Sequence, residues 1–309
     1  MRLYGVTMVR NEADIIETSA RHNLSLLDGM IAIDHGSEDG TREILAALQA
    51  EGLPLRVETN ANPGFFQAEL LTRAAREALA RERADFVFPL DADEFLKVAS
   101  RERLEEALAQ VPPDEHAAVH WLTYVPEFTD GEERALRPVD LRRRLKEERH
   151  GSYKAVIGRS FLKPAQYLIS GNHLVDDPTL DKPPRHVRLP QDTVAIAHLP
   201  VRSAAQLERK IVLGYRAHLA TQPANAQQNF HWRDLYEEIE AGRSLTAERL
   251  REIACNYGLP REKWRAAEQV ELVEDGVGVN VRLRYQARNG VATASSPTTS
   301  DAATTRARL

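Results

Sequence analysis

A single cysteine, Cys255, stands among 309 residues, so neither an internal disulfide nor a thiolate metal centre can be built. Its surroundings, REIACNYGLP, read as a helix end carrying a small buried thiol. There is no basic excess either. Lys and Arg number 41 against 46 Asp and Glu, a formal net charge of -5, which argues against a duplex nucleic-acid partner. Apolar runs are strand-sized, well short of the ~20 residues that cross a bilayer. The opening MRLYGVTMVRNE lacks the uninterrupted apolar core of a signal peptide, so a cytoplasmic location is the expectation. No internal repeat is present, and no glycine-rich basic loop follows the first apolar run. What remains, 42% hydrophobic and 28% charged residues, is ordinary globular composition for one large domain or two modest ones.

The first hundred residues alternate β-rich runs with amphipathic ones. LYGVTMV precedes a helix with Ile16, Ala20 and Leu24 at four-residue spacing, GMIAID precedes one with Ile44, Leu45 and Leu48, and PLRVET precedes a long segment striped by Phe66, Leu70, Ala74 and Ala78. That segment leads into FVFPLD. The order predicts an α/β fold with a parallel sheet, helices on both faces and right-handed crossovers. Ser100 reads as the N-cap of a short helix ending at Pro112. Further on, AAVHWLTYV, SYKAVIGRSFLK, QYLISGNHLV and TVAIAHLPV read as strands. Between the first two lies a charge-rich excursion with Arg142, Arg143 and Arg144, a solvated surface or a patch for phosphate or an anionic membrane face. From Ser203, which forms a capping-box pair with Gln206, the chain turns helical, with more helices over Asp234 to Ala241 and Thr246 to Tyr257. The end is small, polar and Pro-punctuated and is expected to be disordered. The expected organisation is 1–100 and 101–200 as two halves of one domain, 201–285 as a helical region and 286–309 as a tail.

Ligands of open parallel sheets bind at the carboxyl ends of the strands, where three polar segments fall. In MVRNEADII, a strand end delivers Arg10, Asn11 and Glu12 just before a helix, where Asn11 is either an N-cap or a ligand contact. In IDHGSEDGT, Asp39 and Thr41 suit capping, whereas Asp34 ends a buried strand and can accept from an imide N–H or a ribose hydroxyl. In FPLDADEF, Asp91, Asp93 and Glu94 put three carboxylates in four residues. Like charges so near repel unless a cation or a donor lies between them. Mg2+ or Mn2+ is held by one or two carboxylates plus substrate phosphates, and Asp91 and Asp93 supply such a half-shell.

These three segments, in this order and spacing, resemble the nucleotide-sugar-binding half of family 2 glycosyltransferases with the GT-A fold, in particular a bacterial branch pairing R-N-E with D-x-D-E-F. The likeness extends through SGNHL and IAHLPVRSAAQLERKI. It implies a mostly parallel central sheet followed by C-terminal helices, and a metal-dependent, inverting transfer from a UDP- or GDP-linked sugar to a glycan, lipid-linked saccharide or small acceptor. It also implies Asn11 and Glu12 near the nucleotide, Asp34 at the base, Asp91 at the ribose or metal, Asp93 at the metal, and a C-terminal histidine, His198, completing the cation's shell. Arg10 stands where an aromatic residue is usual, and His35 where Asp or Asn is frequent.

Other candidates follow from residue type. Lys154 suits phosphate, His173 in a glycine-flanked turn suits the acceptor site, and Trp121 suits sugar stacking or the core. For the base that deprotonates the acceptor, Asp176 and Asp177 in HLVDDP come first and Glu94 next. Asp177 before Pro178 is also a turn initiator. Two other functions compete: a sugar-phosphate nucleotidyltransferase, which wants the missing phosphate loop, and a nucleotide-binding module without turnover. An aspartyl phosphatase is disfavoured by Glu94 and Phe95 after its D-x-D.

Overall fold

The computed structural model describes residues 1–62, 64, 66–131, 136, 140–149, 151–221 and 230–285. The expected tail, 286–309, lies outside the described residues, as does part of the charge-rich excursion. The alternation in the first half becomes β1 (Leu3–Val9), α1 (Ile16–Leu24), β2 (Gly29–Asp34), α2 (Thr41–Ala50), β3 (Leu55–Thr59), α3 (Gln67–Ala80) and β4 (Phe86–Pro89). These strands lie in the order β3-β2-β1-β4, all parallel. Period-two alternation sorts their side chains. Met30 and Ala32 of β2 join Ile16, Ala20, Ile44 and Leu48 on one face, while Ile31 and Ile33 join Leu71, Ala75 and Leu79 of α3 on the other.

The second half contains β5 (Glu94–Val98), α4 (Arg101–Leu108), β6 (His116–Thr123), β7 (Arg143–Leu145), β8 (Tyr153–Gly158), β9 (Tyr167–Leu168), β10 (Val175–Asp176), β11 (His186–Arg188) and β12 (Val194–His198). Ser100 Oγ accepts from Arg103 N at 3.3 Å and caps α4 as expected. The sheet continues β4-β8-β6-β12-β5, with β11 parallel to β6, for nine strands in all. Here β8 runs antiparallel to β4 and β6, and β5 antiparallel to β12. The acidic run therefore opens a strand and not a helix. Leaving β4 in the middle of the sheet, the chain crosses Asp91 to Asp93 and enters β5 at the far edge. That edge is sealed by α1: Asn23 Nδ2 donates to Glu94 O at 2.9 Å, Leu96 N donates to Asn23 Oδ1 at 2.9 Å, and His22 Nε2 meets Leu96 O at 2.7 Å.

The helical region is α5 (Ala204–Thr221), α6 (Phe230–Glu240) and α7 (Ala247–Cys255), packed through Leu207, Ile211, Leu235, Leu250 and Ile253. The capping box forms with an offset. Ser203 Oγ accepts from Gln206 N at 3.2 Å, and Gln206 Oε1 reaches back to Arg202 N at 3.0 Å. A final strand, β13 (Leu272–Glu274), pairs with β7, so the three consecutive arginines face carboxylates: Arg142 and Glu274 at 3.7 Å, Arg143 and Glu127 at 3.2 Å, Arg144 and Asp275 at 2.6 Å. Beyond it, the backbone amides of Arg284 and Tyr285 each donate to the buried carboxylate of Glu17 at 2.7 Å. Among the described residues, no helix is long and apolar enough to cross a membrane.

Candidate active site

The first two rim segments are stitched into one loop cluster. Asn11 adopts φ +58°, a left-handed conformation that asparagine tolerates. Its N–H donates to Ser37 Oγ at 3.0 Å and its Oδ1 accepts from Glu38 N at 2.8 Å. Asp39 and Thr41 complete the seam by accepting from Ala13 N at 3.0 Å and Glu12 N at 2.8 Å. Asn11 is thus a loop clasp and not a helix N-cap. Asp34 is fully buried and accepts from Ser37 N at 3.3 Å and Arg42 Nε at 3.2 Å.

A cavity of ≈ 560 Å³ opens above the sheet, lined by Arg10, Asn11, Glu12 and His35 from this cluster and by Asp91 and Asp93 from the crossing segment. Trp121, Lys154, His173 and His198 form its floor and side, and Arg209, Lys210, Leu213, Trp232 and Tyr257 of the helical region close it. The sequence-expected residues Arg10, Asn11, Glu12, Asp91, Asp93, Trp121, Lys154, His173 and His198 are thus brought together. Asp34, Glu94, Asp176 and Asp177 are not among the lining residues. Asp176 Oδ2 accepts from Tyr167 Oη at 2.9 Å, and Asp177 Oδ1 accepts from Thr179 N at 3.0 Å and Thr179 Oγ1 at 2.6 Å, the turn-initiating role.

The crowded carboxylates are held by fixed cations. Lys154 Nζ lies 2.7 Å from Asp91 Oδ2 and 2.8 Å from Glu94 Oε1. Against burial, which alone would lower it, Asp91 and Glu94 raise the Lys154 pKa, so it stays charged. Burial, opposed by Lys154, pushes Glu94 up to about 8. Its Oε2 accepts from Asp91 N at 3.0 Å and shapes the turn. Asp91 Oδ1 accepts from Gln67 Nε2 at 2.9 Å. Asp93 meets Lys210 Nζ at 2.6 Å, His198 Nε2 at 3.6 Å and Arg202 Nη1 at 3.8 Å. Against burial, Lys210, His198 and Arg202 hold its carboxyl well below the usual range. Arg202 also binds Glu12, and Asp14 at 2.6 Å, so it ties the first rim segment to the third. Burial lowers His198 to about 4 despite Asp93, leaving a neutral imidazole. His173 Nδ1 faces Tyr153 O at 2.8 Å. That carbonyl can only accept, so Nδ1 keeps its proton and donates to it, and the ring's lone pair lies on Nε2.

Among the described residues, no three His, Cys, Asp or Glu side chains are gathered as a ready metal cluster. The donor set nonetheless suits Mn2+ or Mg2+ in kind. It offers two carboxylates on the cavity wall and a neutral histidine whose Nδ1 is buried with no hydrogen-bond partner among the described residues. What stands against the ion is the pair of ammonium groups already on those carboxylates.

A mostly parallel sheet with a carboxylate pair on its rim cavity is what the resemblance to family 2 glycosyltransferases implies. The family model for glycosyl transferase family 2 matches residues 6–164, just over half of the chain, and the chain belongs to that family. No curated protein matches it. Among solved structures it is similar to Staphylococcus aureus TarS in complex with UDP-GlcNAc, at 11% identity and TM-score 0.41, over 79% of this chain and 74% of that one. It is similar as well to the mannosyltransferase PcManGT from Pyrobaculum calidifontis in complex with GDP-Man and Mn2+, at 19% identity and TM-score 0.40, over 81% and 71%. A third is glucosyl-3-phosphoglycerate synthase from Mycobacterium tuberculosis, at 18% identity and TM-score 0.26, over 39% and 43%.

Lys210, Arg202, Arg209, Trp232 and Tyr257 are cavity or bridging residues that motif reading misses. A lysine on an amphipathic helix carries no local mark of facing an aspartate, and only the buried start of α5 after β12 hints that this helix approaches the rim.

Proposed function

We propose that this glycosyltransferase moves a sugar from a UDP- or GDP-linked donor to a hydroxyl of a glycan, a lipid-linked saccharide or a small molecule, with a divalent cation and with inversion at the anomeric carbon. The observation that carries the reading is the cavity on the sheet rim. Its volume of ≈ 560 Å³ lies in the range of small-molecule sites, and it unites acidic, cationic and aromatic side chains from all three rim segments. Asp91, Asp93 and His198 would hold Mn2+ or Mg2+, which when bound draws charge from the departing diphosphate. Arg10 and Lys210, which line the same cavity, suit the phosphates. Asp34 supports the base side indirectly, through the Ser37 turn that positions Asn11 and His35. Trp121, 5.7 Å ring to ring from His173, suits stacking against a sugar.

Transfer requires the acceptor oxygen to bond to the anomeric carbon as the bond to the diphosphate breaks, and the acceptor proton to pass to a base. His173 is assigned that role because its Nε2 is basic and it lines the cavity, which Asp176, Asp177 and Glu94 do not. A membrane contact for a lipid-linked acceptor remains part of the proposal, without support from Arg142 to Arg144, which are ion-paired.

A thermal-shift panel of nucleoside diphosphates and their sugars with Mn2+ tests the reading. The matching nucleotide at about 100 times its Kd should add about 2.7 kcal/mol of stability, and donor hydrolysis should follow. Binding without hydrolysis or transfer favours a module without turnover; no shift from any nucleotide removes the proposal.

A further inference from the structure

The two lysines on the acidic pair differ in kind. Lys154 rises from the middle of the sheet, its side chain 2% exposed, and is shared between Asp91 and Glu94. Lys210 comes from α5, its side chain is 21% exposed on the cavity wall, and it touches Asp93 Oδ2 at 2.6 Å with the Tyr257 ring 5.5 Å away. Asp93 has the Arg202 guanidinium at 3.8 Å besides, so it keeps counter-charge if Lys210 leaves. Lys154 is a permanent strut; Lys210 is placed to move.

We propose that Lys210 is a tethered stand-in for the divalent cation, holding Asp93 in the ligand-free protein and passing to the donor's diphosphate when a cation takes the carboxylate. The inference rests on the transferase reading above. An ammonium and a divalent ion compete for the same carboxylate oxygen, and an ammonium fixed to α5 has a high effective concentration there. A cation arriving alone must evict Lys210 into the cavity, where the carboxylate of Glu12, whose field also reaches Lys210, is already bound by Arg202. A diphosphate arriving with the cation supplies the new partner. Cation and nucleotide are therefore coupled, each tightening the other by the same factor, and the site is not filled by free metal in the absence of donor. Because α5 carries Lys210, release of Asp93 also reports donor loading to the helical region that closes the cavity.

The test is calorimetric titration of Mn2+ into the full chain with and without UDP or GDP, for wild type, Lys210→Met, Lys210→Arg and Arg216→Met. Lys210→Met should bind Mn2+ alone at least about tenfold more tightly, the loss of a unit charge in direct contact being worth that much or more. The coupling between Mn2+ and nucleotide should shrink by a similar factor. Lys210→Arg, which keeps the charge, and Arg216→Met, which removes one from the exposed side of the same helix, where Arg216 pairs with Glu240, should stay near wild type. If Lys210→Met does not fold, Lys210→Gln serves the same comparison. Unchanged Mn2+ affinity in the uncharged variant, an equal gain in Arg216→Met, or no Mn2+ binding by any variant overturns the inference. Nucleotide binding in the first two cases leaves the transferase reading standing. If wild type binds no nucleotide with any cation, that reading falls, and the Mn2+-alone comparison still decides the role of Lys210.

Discussion

Lys154→Met removes an ammonium while keeping most of the side chain's length, and leaves two carboxylates around an apolar tip. Their distances to Nζ are 2.7 Å and 2.8 Å, with Asp91 28% exposed and Glu94 fully buried. Asp91 can turn toward water in the cavity. Glu94 cannot; burial already pushes it up to about 8 against the pull of Lys154, and without the ammonium it is held protonated, a carboxyl with no cation to meet it. Breaking one partner out of a buried pair costs about 3–5 kcal/mol, and the escape open to Asp91 puts the expectation near about 3 kcal/mol. For a chain of this size that corresponds to a fall of about 6 °C in Tm, measured by scanning calorimetry. The double variant Lys154→Met with Glu94→Gln, which replaces the stranded carboxyl by a neutral amide, should recover at least about half of the loss, because the two sites share one interaction. A Tm within about 1 °C of wild type for the single variant, or no recovery in the double one, would refute the account of Lys154 as the strut of the acidic turn.

Asp93→Ala should abolish cation-dependent binding of a nucleoside diphosphate, read by calorimetry. It should also lower Tm, because Lys210 and Arg202 lose a counter-charge; a raised Tm would mean that crowding of carboxylates, and not their pairing, governs this turn. Stability should also fall with acid through His116. This side chain is fully buried, accepts from Gly158 N at Nδ1 at 3.2 Å and faces Gln166 Oε1 through Nε2 at 3.1 Å. Burial lowers its pKa to about 4 from 6.5. The unfolded chain then binds the extra proton between those values, so stability is complete above about pH 6.5 and declines by about 3 kcal/mol as pH falls to about 4. Chemical denaturation across that range should show a shallower decline in His116→Asn, and equal slopes would sink the assignment.

The β-α alternation of the first half was legible because each helix and strand announces its own period, and the three rim segments were legible because they end those strands. The turn chemistry of Ser100 and Ser203 was local and equally visible. What could not be read joins distant residues: Lys154 to Asp91 across 63 positions, Lys210 to Asp93 across 117, Arg202 to Glu12 across 190. That Asp91 and Asp93 call for counter-charge follows from their spacing, whereas the two ammonium groups on them come from residues far along the chain. Asn11 was open between cap and ligand contact because its φ depends on Ser37 and Glu38, which meet it only once β1 and β2 lie side by side. The strand Glu94–Val98 was hidden for a similar reason. Its hydrogen-bond partners are β12 and the side chains of α1, and it shows no independent alternation of polarity.

The hand-over from β4 to β5 makes the chain's two halves interdependent. Residues 94–98 belong to the first hundred in sequence but hydrogen-bond to 194–198 on one side and rest against Asn23 and His22 on the other. A fragment ending near residue 100 would carry an unzipped border strand, and one starting there would lack its outermost rung. The aspartates are suspended between these anchorages like a span between two piers, so their separation is set only when the middle of the sheet and its far edge have both assembled.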